Sequence, residues 1–120
     1  MNDMIFDDYQ NLVNNCLIRH NNILDVITKF NETNSKINRA VAKSINNCGC
    51  VNVNLTSNTD LSTKTDHTNP CDNCREIIEA EIGDNLFYLT SLCNLLNINL
   101  YDIIIKEYDK MNILGKFNIQ

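Results

Sequence analysis

Hydrophobic residues recur in alternating steps of three and four along the first part of the chain, with no Pro or Gly among them. This spacing predicts a heptad seam over residues 6–46, carried by one long helix or two collinear ones that pack against a partner helix at coiled-coil geometry. Leu12, Leu17 and Leu24 widen the stripe, so residues 6–30 are expected to be its most deeply buried section. The seam positions are Phe6, Tyr9, Val13, Cys16, His20, Ile23, Ile27, Phe30, Asn34, Ile37 and Val41.

Two polar residues interrupt this seam. Asn34 either fixes the register or oligomeric state of the packed helices, or marks a kink near residues 31–35, where Asn, Thr and Ser are poor helix formers. His20 stands alone on the apolar face, which is typical of a core histidine rather than of a ligand. The seam needs a partner helix, and we expect a homodimer, although the sequence leaves open whether the seam closes within one chain or between two.

A second run of helical periodicity begins after Pro70, with Asp72 or Asn73 as the predicted N-cap. Cys93 lies beside its inner stripe and, like Cys16 on the first seam, is expected to be a small buried hydrophobe. The inner stripe consists of Ile78, Ile82, Asn85, Leu89, Leu92 and Leu96, with Leu86 adjacent.

A third helix is predicted to follow the break at residues 97–99. Asn99 and Asp102 resemble a capping pair for its first turn, and Gly115 is expected to mark its end. Its apolar face consists of Leu100, Ile104, Tyr108 and Met111.

The predicted fold is therefore all-α. We expect a single domain over residues 1–120, in which the long helix 6–46 packs on a helical hairpin at 76–114 in a bundle-like arrangement. A cysteine-rich, metal-binding loop at 47–75 joins the two. The single Pro, three Gly and absent Trp agree with a helical protein rather than a β-sandwich.

The charge of the chain excludes some classes of function. The net charge is -5, and residues 51–120 hold five basic and ten acidic side chains, against five of each in residues 1–50. Such a surface repels phosphate backbones, so no nucleic-acid partner is expected. No stretch approaches the roughly 18 apolar residues of a membrane span, and the N-terminus lacks the features of a signal peptide, so we expect a cytoplasmic protein with no membrane partner.

Six cysteines in a reducing compartment are more typical of metal ligands or buried thiols than of disulfides. The pairs Cys48-Gly49-Cys50 and Cys71-Asp72-Asn73-Cys74 each deliver two thiolates within reach of a tetrahedral zinc ion, and His67 is close enough in the sequence to replace one ligand. Four protein ligands leave no open coordination position. The zinc is therefore predicted to be structural, clipping the end of the first helix to the start of the second.

Two other interpretations of these cysteines stay open. A Cys71-x-x-Cys74 pair at a helix N-terminus is also the arrangement of a redox-active dithiol with a lowered thiol pKa, although the βαβ context of thioredoxin-like motifs is missing. In the remaining interpretation the cysteines are reduced and bind nothing.

Carboxylates suggest a second metal. Glu81 and Asp84 lie three residues apart, share one helix face and can hold one divalent cation, and Glu76 and Glu79 precede them. Magnesium that bridges phosphate oxygens to carboxylates stabilises the developing charge in many nucleotide-cleaving enzymes. Acidic residues on the outer face of a helix are more often simply solvated.

The Glu81-Ile-Gly-Asp84 helix and the turn after it resemble the E-x-x-D segment of the MazG-like, all-α nucleoside triphosphate pyrophosphohydrolases, with a weaker match over residues 76–114. The resemblance implies a nucleotide ligand, a dimer or tetramer, and Glu81 and Asp84 as Mg²⁺ ligands. It also implies Lys106 or Lys110 as phosphate contacts.

The chain departs from that family at the other half of the site. In the family, an E-x-x-E motif on the preceding helix completes the Mg²⁺ site, whereas the first helix here offers only Asp25 and Glu32. Glu76-x-x-Glu79 lies on the same helix as Glu81 and cannot face it across a cleft. Half a metal site rarely suffices for catalysis.

The whole chain also resembles a set of short uncharacterised bacterial proteins with the same Cys-Gly-Cys and Cys-x-x-Cys arrangement, which implies no activity. The sequence thus predicts a zinc-stapled, non-catalytic binding or regulatory relative of MazG-like proteins. One alternative is an active Mg²⁺-dependent nucleoside triphosphate pyrophosphohydrolase, in which residues such as Asp25 and Glu32 complete the site of Glu81 and Asp84. The other is a thiol redox sensor.

Overall fold

Four α-helices make up most of the computed structural model, which describes residues 2–16, 22–53 and 68–118. The all-α prediction is confirmed. No helix in the described ranges is long and apolar enough to span a membrane. The helices are α1 (Asn2–Cys16), α2 (Ile23–Asn46), α3 (Asp72–Leu95) and α4 (Leu100–Asn118).

The long helix predicted over residues 6–46 is divided into α1 and α2, and Asn22 marks the start of the second. Its Oδ1 accepts a hydrogen bond from the backbone N–H of Leu24 at 2.8 Å, and its carbonyl accepts one from Val26 at 3.1 Å. Asn22 is therefore an N-cap, and Asp25 in the first turn favours the same start. The apolar spacing continues through this cap, so it gives no sign of the break.

The chain folds into two compact units. The terminal unit comprises residues 1–29 and 87–120, and the central unit comprises residues 30–86. The start of α2 and the end of α3 therefore belong to the terminal unit with α1 and α4. The rest of α2 and α3 belongs to the central unit. A single domain over residues 1–120 stays a prediction.

In the terminal unit, α1 packs against α4 and a buried glutamine ties α1 to the turn before α4. The side-chain amide of Gln10 donates to the carbonyl of Ile98 at 2.7 Å, and its Oε1 accepts from the backbone N–H of Leu100 at 2.8 Å. Asn94 Nδ2 donates to the Gln10 carbonyl at 3.0 Å. Because both polar atoms of the amide are paired, its burial carries no desolvation penalty for an unsatisfied group.

The start of α4 agrees with the sequence, whereas its end does not. The backbone N–H of Asp102 donates to Asn99 Oδ1 at 2.9 Å, which confirms the capping pair. Asn97, in the preceding turn, has a left-handed φ of 56°, a conformation that Asn tolerates better than most residues. Gly115 does not end the helix, which runs on to Asn118, because one glycine inside a helix costs only about 1 kcal/mol relative to Ala.

Burial in the terminal unit is narrower than the seam predicts. Cys93 is buried, as expected, but Cys16 is exposed. The prediction that residues 6–30 are deeply buried is wrong, since Leu12 is 60% and Leu24 is 69% exposed. A widened apolar stripe extends beyond the face that a neighbouring helix covers, so its outer members stay in solvent. His20 and Leu17 lie outside the described residues.

In the central unit, α2 and α3 pack through small polar side chains. Asn85 Nδ2 on α3 donates to Thr33 Oγ1 at 3.0 Å and to Asn34 Oδ1 at 2.7 Å. Thr33 and Ser44 are buried, and each hydroxyl donates to a carbonyl three residues earlier in its own helix. The hydroxyls of Thr33 and Ser44 are therefore satisfied within α2, so their burial leaves no unpaired polar group. Helix α2 is unbroken at Asn34, so that residue links helices rather than marking a kink.

The buried face of α2 is rotated from the predicted seam. Ile27 and Val41 are 39% and 38% exposed, whereas Val26 and Ser44 are fully buried. The covered positions keep the alternating steps of four and three residues that the seam predicts. One of the two rows is displaced by one residue towards the N-terminus, so that Val26, Thr33 and Ala40 are covered in place of Ile27, Asn34 and Val41. The covered positions are Val26, Phe30, Thr33, Ile37, Ala40 and Ser44.

The inner face of α3 departs from its predicted stripe in the same way, by one residue at some positions. Ile82 and Leu96 are 49% and 48% exposed, whereas Asn85 faces α2 as expected. Glu81 is half-buried, and Asp84, three residues further on, is exposed. The covered side of the helix therefore includes a carboxylate that the apolar pattern assigns to solvent.

Candidate metal centre

The first cysteine pair lies where the chain folds back on the end of α2. The backbone N–H of Cys48 donates to the Lys43 carbonyl at 2.9 Å, a bond of the type that closes helix C-termini. Gly49 then takes a left-handed φ of 77°, which costs glycine little. The thiol of Cys50 donates to the Ser44 carbonyl at 3.7 Å, and the next backbone N–H donates to the same oxygen at 3.2 Å. Both thiols are thereby held beside the last turn of α2.

The second cysteine pair lies at the start of α3. The helix begins at Asp72, so Cys71 occupies the N-cap position and Cys74 lies in the first turn. Arg75 N–H donates to the Cys71 carbonyl at 2.8 Å, and the backbone N–H of Cys74 donates to the Cys71 sulfur. A cysteine thus takes the place usual for Ser, Thr, Asp or Asn, and the N-cap predicted at Asp72 or Asn73 is wrong by one residue or two.

These two turns bring four sulfurs together. The Sγ atoms of Cys48, Cys50, Cys71 and Cys74 all lie within 4.8 Å of one another, and we call this group the cysteine cluster. Cys48 Sγ and Cys71 Sγ are 3.8 Å apart, which allows a hydrogen bond but is far beyond the S–S length of a disulfide, about 2.05 Å. All the cysteines are free thiols. The cluster joins the C-terminus of α2 to the N-terminus of α3 within the central unit.

The donor set fits a zinc ion. A tetrahedral site with Zn–S bonds of about 2.3 Å has sulfurs about 3.8 Å apart, and Cys48 and Cys71 are separated by 3.8 Å. Thiolate is the ligand that structural zinc prefers, and a Cys₄ set leaves no position open for water or substrate. The cluster is consistent with a metal such as zinc.

Contacts among the sulfurs shift the thiol pKa values in opposite directions. Cys71 accepts the backbone N–H and then the thiol of Cys74, which lowers its pKa to about 7. The hydrogen bond between the thiols of Cys74 and Cys50, and to a smaller extent the one with Cys71, raise the pKa of Cys74 to about 12. The contacts of Cys48 with Cys50 and Cys71 raise its pKa as well. Without metal, the cluster therefore concentrates negative charge on Cys71, where the helix N-terminus favours it.

The carboxylates of the sequence analysis do not assemble into a second site. Among the described residues, the cysteine cluster is the group of three or more candidate ligands that converges on one point. Glu81 is half-buried beside α2, whereas Asp84, Glu76 and Glu79 are exposed on α3. His67, the predicted substitute ligand, lies outside the described residues.

The residues expected to complete a nucleotide site do not belong to a group of converging metal ligands. Asp25 lies in the exposed first turn of α2, and Glu32 is exposed further along that helix. Lys106 is exposed on α4, and Lys110 forms an ion pair with Glu107 at 2.9 Å on the same helix. The structure gives none of these four a role in holding Mg²⁺ or phosphate.

Three cations on α2 were not predicted as site residues from the sequence. Lys36, Arg39 and Lys43 line a groove against Ile77 and Glu81 of α3. Their spacing, three and then four residues, places them on one helix face and could have revealed them. They were missed because a basic helix face is not a continuous basic cluster along the sequence.

Comparisons of this chain with protein-family models, with curated proteins and with solved structures find no match. The resemblances to MazG-like enzymes and to uncharacterised cysteine-containing proteins therefore rest on the quoted motifs alone.

Proposed function

We propose that this chain is a zinc-stapled helical protein whose role is binding or regulation rather than catalysis. The observation that carries the proposal is the convergence of four cysteine sulfurs, two from the end of α2 and two from the start of α3. A metal there would join the end of α2 directly to the start of α3, although residues 51–70 separate the two cysteine pairs along the sequence. Metal binding to such a cluster contributes directly to folding free energy.

The absence of catalysis is supported by the surroundings of Glu81. In a Mg²⁺-dependent pyrophosphohydrolase, carboxylates from two helices face each other and hold the ion. Here the α2 face that opposes Glu81 carries Lys36, Arg39 and Lys43, and these cations disfavour a divalent metal. The resemblance to MazG-like enzymes is then limited to the E-x-x-D helix, without the carboxylates that would complete a catalytic site.

The first test is metal content. Protein purified without chelator or affinity-tag metal is expected to carry one zinc per chain, with four thiols protected until the metal is removed. Cys50→Ser is expected to lose stoichiometric zinc, whereas Cys16→Ser, which removes an exposed thiol outside the cluster, retains it. Wild-type protein that contains no zinc after this purification would refute the proposed structural zinc site.

The second test is activity. With Mg²⁺ and a panel of nucleoside triphosphates, we expect no pyrophosphate release by the wild-type protein. Release that disappears in Glu81→Gln would establish the enzyme and refute the non-catalytic role.

The exposure of two cluster thiols favours a second candidate function, thiol redox sensing. Cys48 and Cys71 are both exposed and their sulfurs are 3.8 Å apart. Hydrogen peroxide would oxidise two thiols to one disulfide, with two waters formed, and the remaining thiols would release zinc. Mass spectrometry and a zinc-sensitive dye test this function, and a cluster that keeps its zinc and its thiols under peroxide excludes it.

A further inference from the structure

A groove between α2 and α3 in the central unit gathers positive charge in an otherwise acidic region. It has a volume of about 290 Å³. Its lining residues are Lys36, Arg39, Ala40 and Lys43 from α2, with Ile77 and Glu81 from α3. Three cations thus share the groove with one carboxylate, and Ala40 leaves the space between them open.

This charge is not a property of the surrounding surface. The whole chain carries a net charge of -5, and the described part of α3 that belongs to the central unit has five acidic side chains and one basic side chain. Despite these nearby carboxylates, none of the three groove cations forms an ion pair with a described residue. The groove therefore has cationic groups available for a ligand.

Charge balance at the metal accounts for only part of this arrangement. A zinc ion with four thiolates carries a net charge of about −2, and a neighbouring lysine stabilises it. Lys43 is close to the cluster, since its carbonyl accepts the N–H of Cys48. Lys36 lies seven residues before Lys43, about 10 Å away along the helix. Charge balance at the metal therefore does not explain the position of Lys36.

The size and chemistry of the groove indicate its ligand. The volume of about 290 Å³ is close to the lower limit of about 300 Å³ for small-molecule sites, so the groove has room for a compact compound. The net charge of -5 disfavours a polyanion such as a nucleic acid. Arginine and lysine together bind phosphate, the first through a planar fork and the second as a point charge. Ile77 offers an apolar contact, and the Glu81 carboxylate can accept a hydrogen bond from a hydroxyl or amino group.

We propose that the groove of Lys36, Arg39 and Lys43 binds a small phosphorylated compound. The three cations hold the phosphate, and Glu81 selects a compound that carries a hydroxyl or amino donor beside it. The site differs from a Mg²⁺-dependent nucleotide site because protein cations, and no metal, neutralise the phosphate.

The cysteine cluster would control this groove. Cys74 and Ile77 are one turn apart on α3. The carbonyl of Lys43 accepts a hydrogen bond from the backbone N–H of Cys48. Metal binding therefore fixes the two helix ends that border the groove. This coupling rests on the proposed function, whereas the anion site itself requires only the packing of α2 against α3.

The test is calorimetric titration with pyrophosphate in a Mg²⁺-free buffer, with zinc content and helicity measured for every variant. Arg39→Gln is expected to weaken binding about 10-fold, because a charge-assisted contact is lost from an exposed side chain that the fold does not need. Lys106→Gln removes the same charge from α4 and is expected to change binding less than about 2-fold. Glu81→Gln removes a repulsive carboxylate and is expected to tighten pyrophosphate binding.

Several results would overturn the proposal. Absence of pyrophosphate binding at millimolar concentration, in protein that holds its zinc, refutes the groove and leaves the staple intact. An equal loss in Arg39→Gln and Lys106→Gln shows non-specific attraction and refutes the site. Tighter binding of a DNA duplex than of pyrophosphate refutes a small ligand. Binding by protein that contains no zinc supports the groove and refutes the staple.

Discussion

At the scale of single residues, the cysteines show how position changes the chemistry of one side chain. Cys71 lies at a helix N-cap and accepts a backbone N–H, so its pKa falls to about 7. Cys93 is buried on α3, and its burial raises the pKa of the thiol. Cys16 is exposed at the end of α1. These three environments predict three different reactivities.

Alkylation should distinguish these environments in the native, metal-bound protein. At pH 8 we expect iodoacetamide to modify Cys16 and to spare Cys93, because a raised pKa leaves little thiolate and burial blocks access. The cluster thiols are expected to be protected by the metal. Peptide mass spectrometry after limited reaction measures each site, with fully denatured protein as the control in which all six react. Early modification of Cys93 would contradict its burial.

The affinity of the cluster for zinc should depend on pH. At pH 7 the raised pKa values of Cys48 and Cys74 keep these thiols protonated, so zinc must displace their protons. The sign follows directly: zinc affinity rises with pH and falls as acid is added, by at least about 10-fold per pH unit. Competition with a zinc chelator of known affinity at pH 6, 7 and 8 measures it. A pH-independent affinity would show that thiolates are not the ligands.

At the scale of helices, polar side chains determine where a helix begins and which of its faces is covered, and the apolar pattern does not predict the covered face of α2. The sequence predicts the existence of α3 and α4 and the Asn99 cap of α4, because these depend on local signals. It misses the rotation of α2, because the covered positions include Thr33 and Ser44, whose hydroxyls are satisfied inside their own helix. Hydrophobic periodicity gives no weight to such residues, although Thr33 takes part in the contact between α2 and α3.

The candidate site was predictable in part for the same reason. The spacing of Cys-x-Cys and Cys-x-x-Cys is local and identifies the ligands. The role of Cys71 as an N-cap depends on where α3 begins, and the cations beside Glu81 depend on which face of α2 meets α3. Both are tertiary features, which the sequence pattern of one helix cannot supply.

Gln10 offers a test of how a polar contact holds two helices. Gln10→Ala leaves the buried Leu100 N–H and the Ile98 carbonyl without their partner, so we expect the free energy of unfolding to fall by about 2–3 kcal/mol. Asn11→Ala, an exposed neighbour on the same helix, is expected to change it by less than about 0.5 kcal/mol. Urea denaturation of zinc-loaded protein followed by circular dichroism measures both. Equal losses in the two variants would show that the hydrogen bonds of Gln10 make no specific contribution to stability.

At the scale of the whole molecule, apolar side chains remain uncovered. Tyr108, Met111 and Leu114 on α4 are 65%, 57% and 46% exposed, and their three-residue spacing places them side by side. Soluble monomers rarely expose an apolar patch larger than a few hundred Å². The predicted apolar face of α4 is therefore covered near Leu100, which is buried, and open in its later turns.

We expect a second copy of the chain to cover this patch, which would make the predicted homodimer an α4 dimer rather than one through the seam. Sedimentation equilibrium should then show a dimer that Tyr108→Glu dissociates with helicity unchanged, because a charge is placed in the apolar contact. Lys106→Glu, about 160° around the helix from Tyr108, should leave the dimer intact. If Ile27→Glu dissociates the dimer and Tyr108→Glu does not, the interface lies along the seam rather than on α4. A monomeric wild-type protein would refute the dimer.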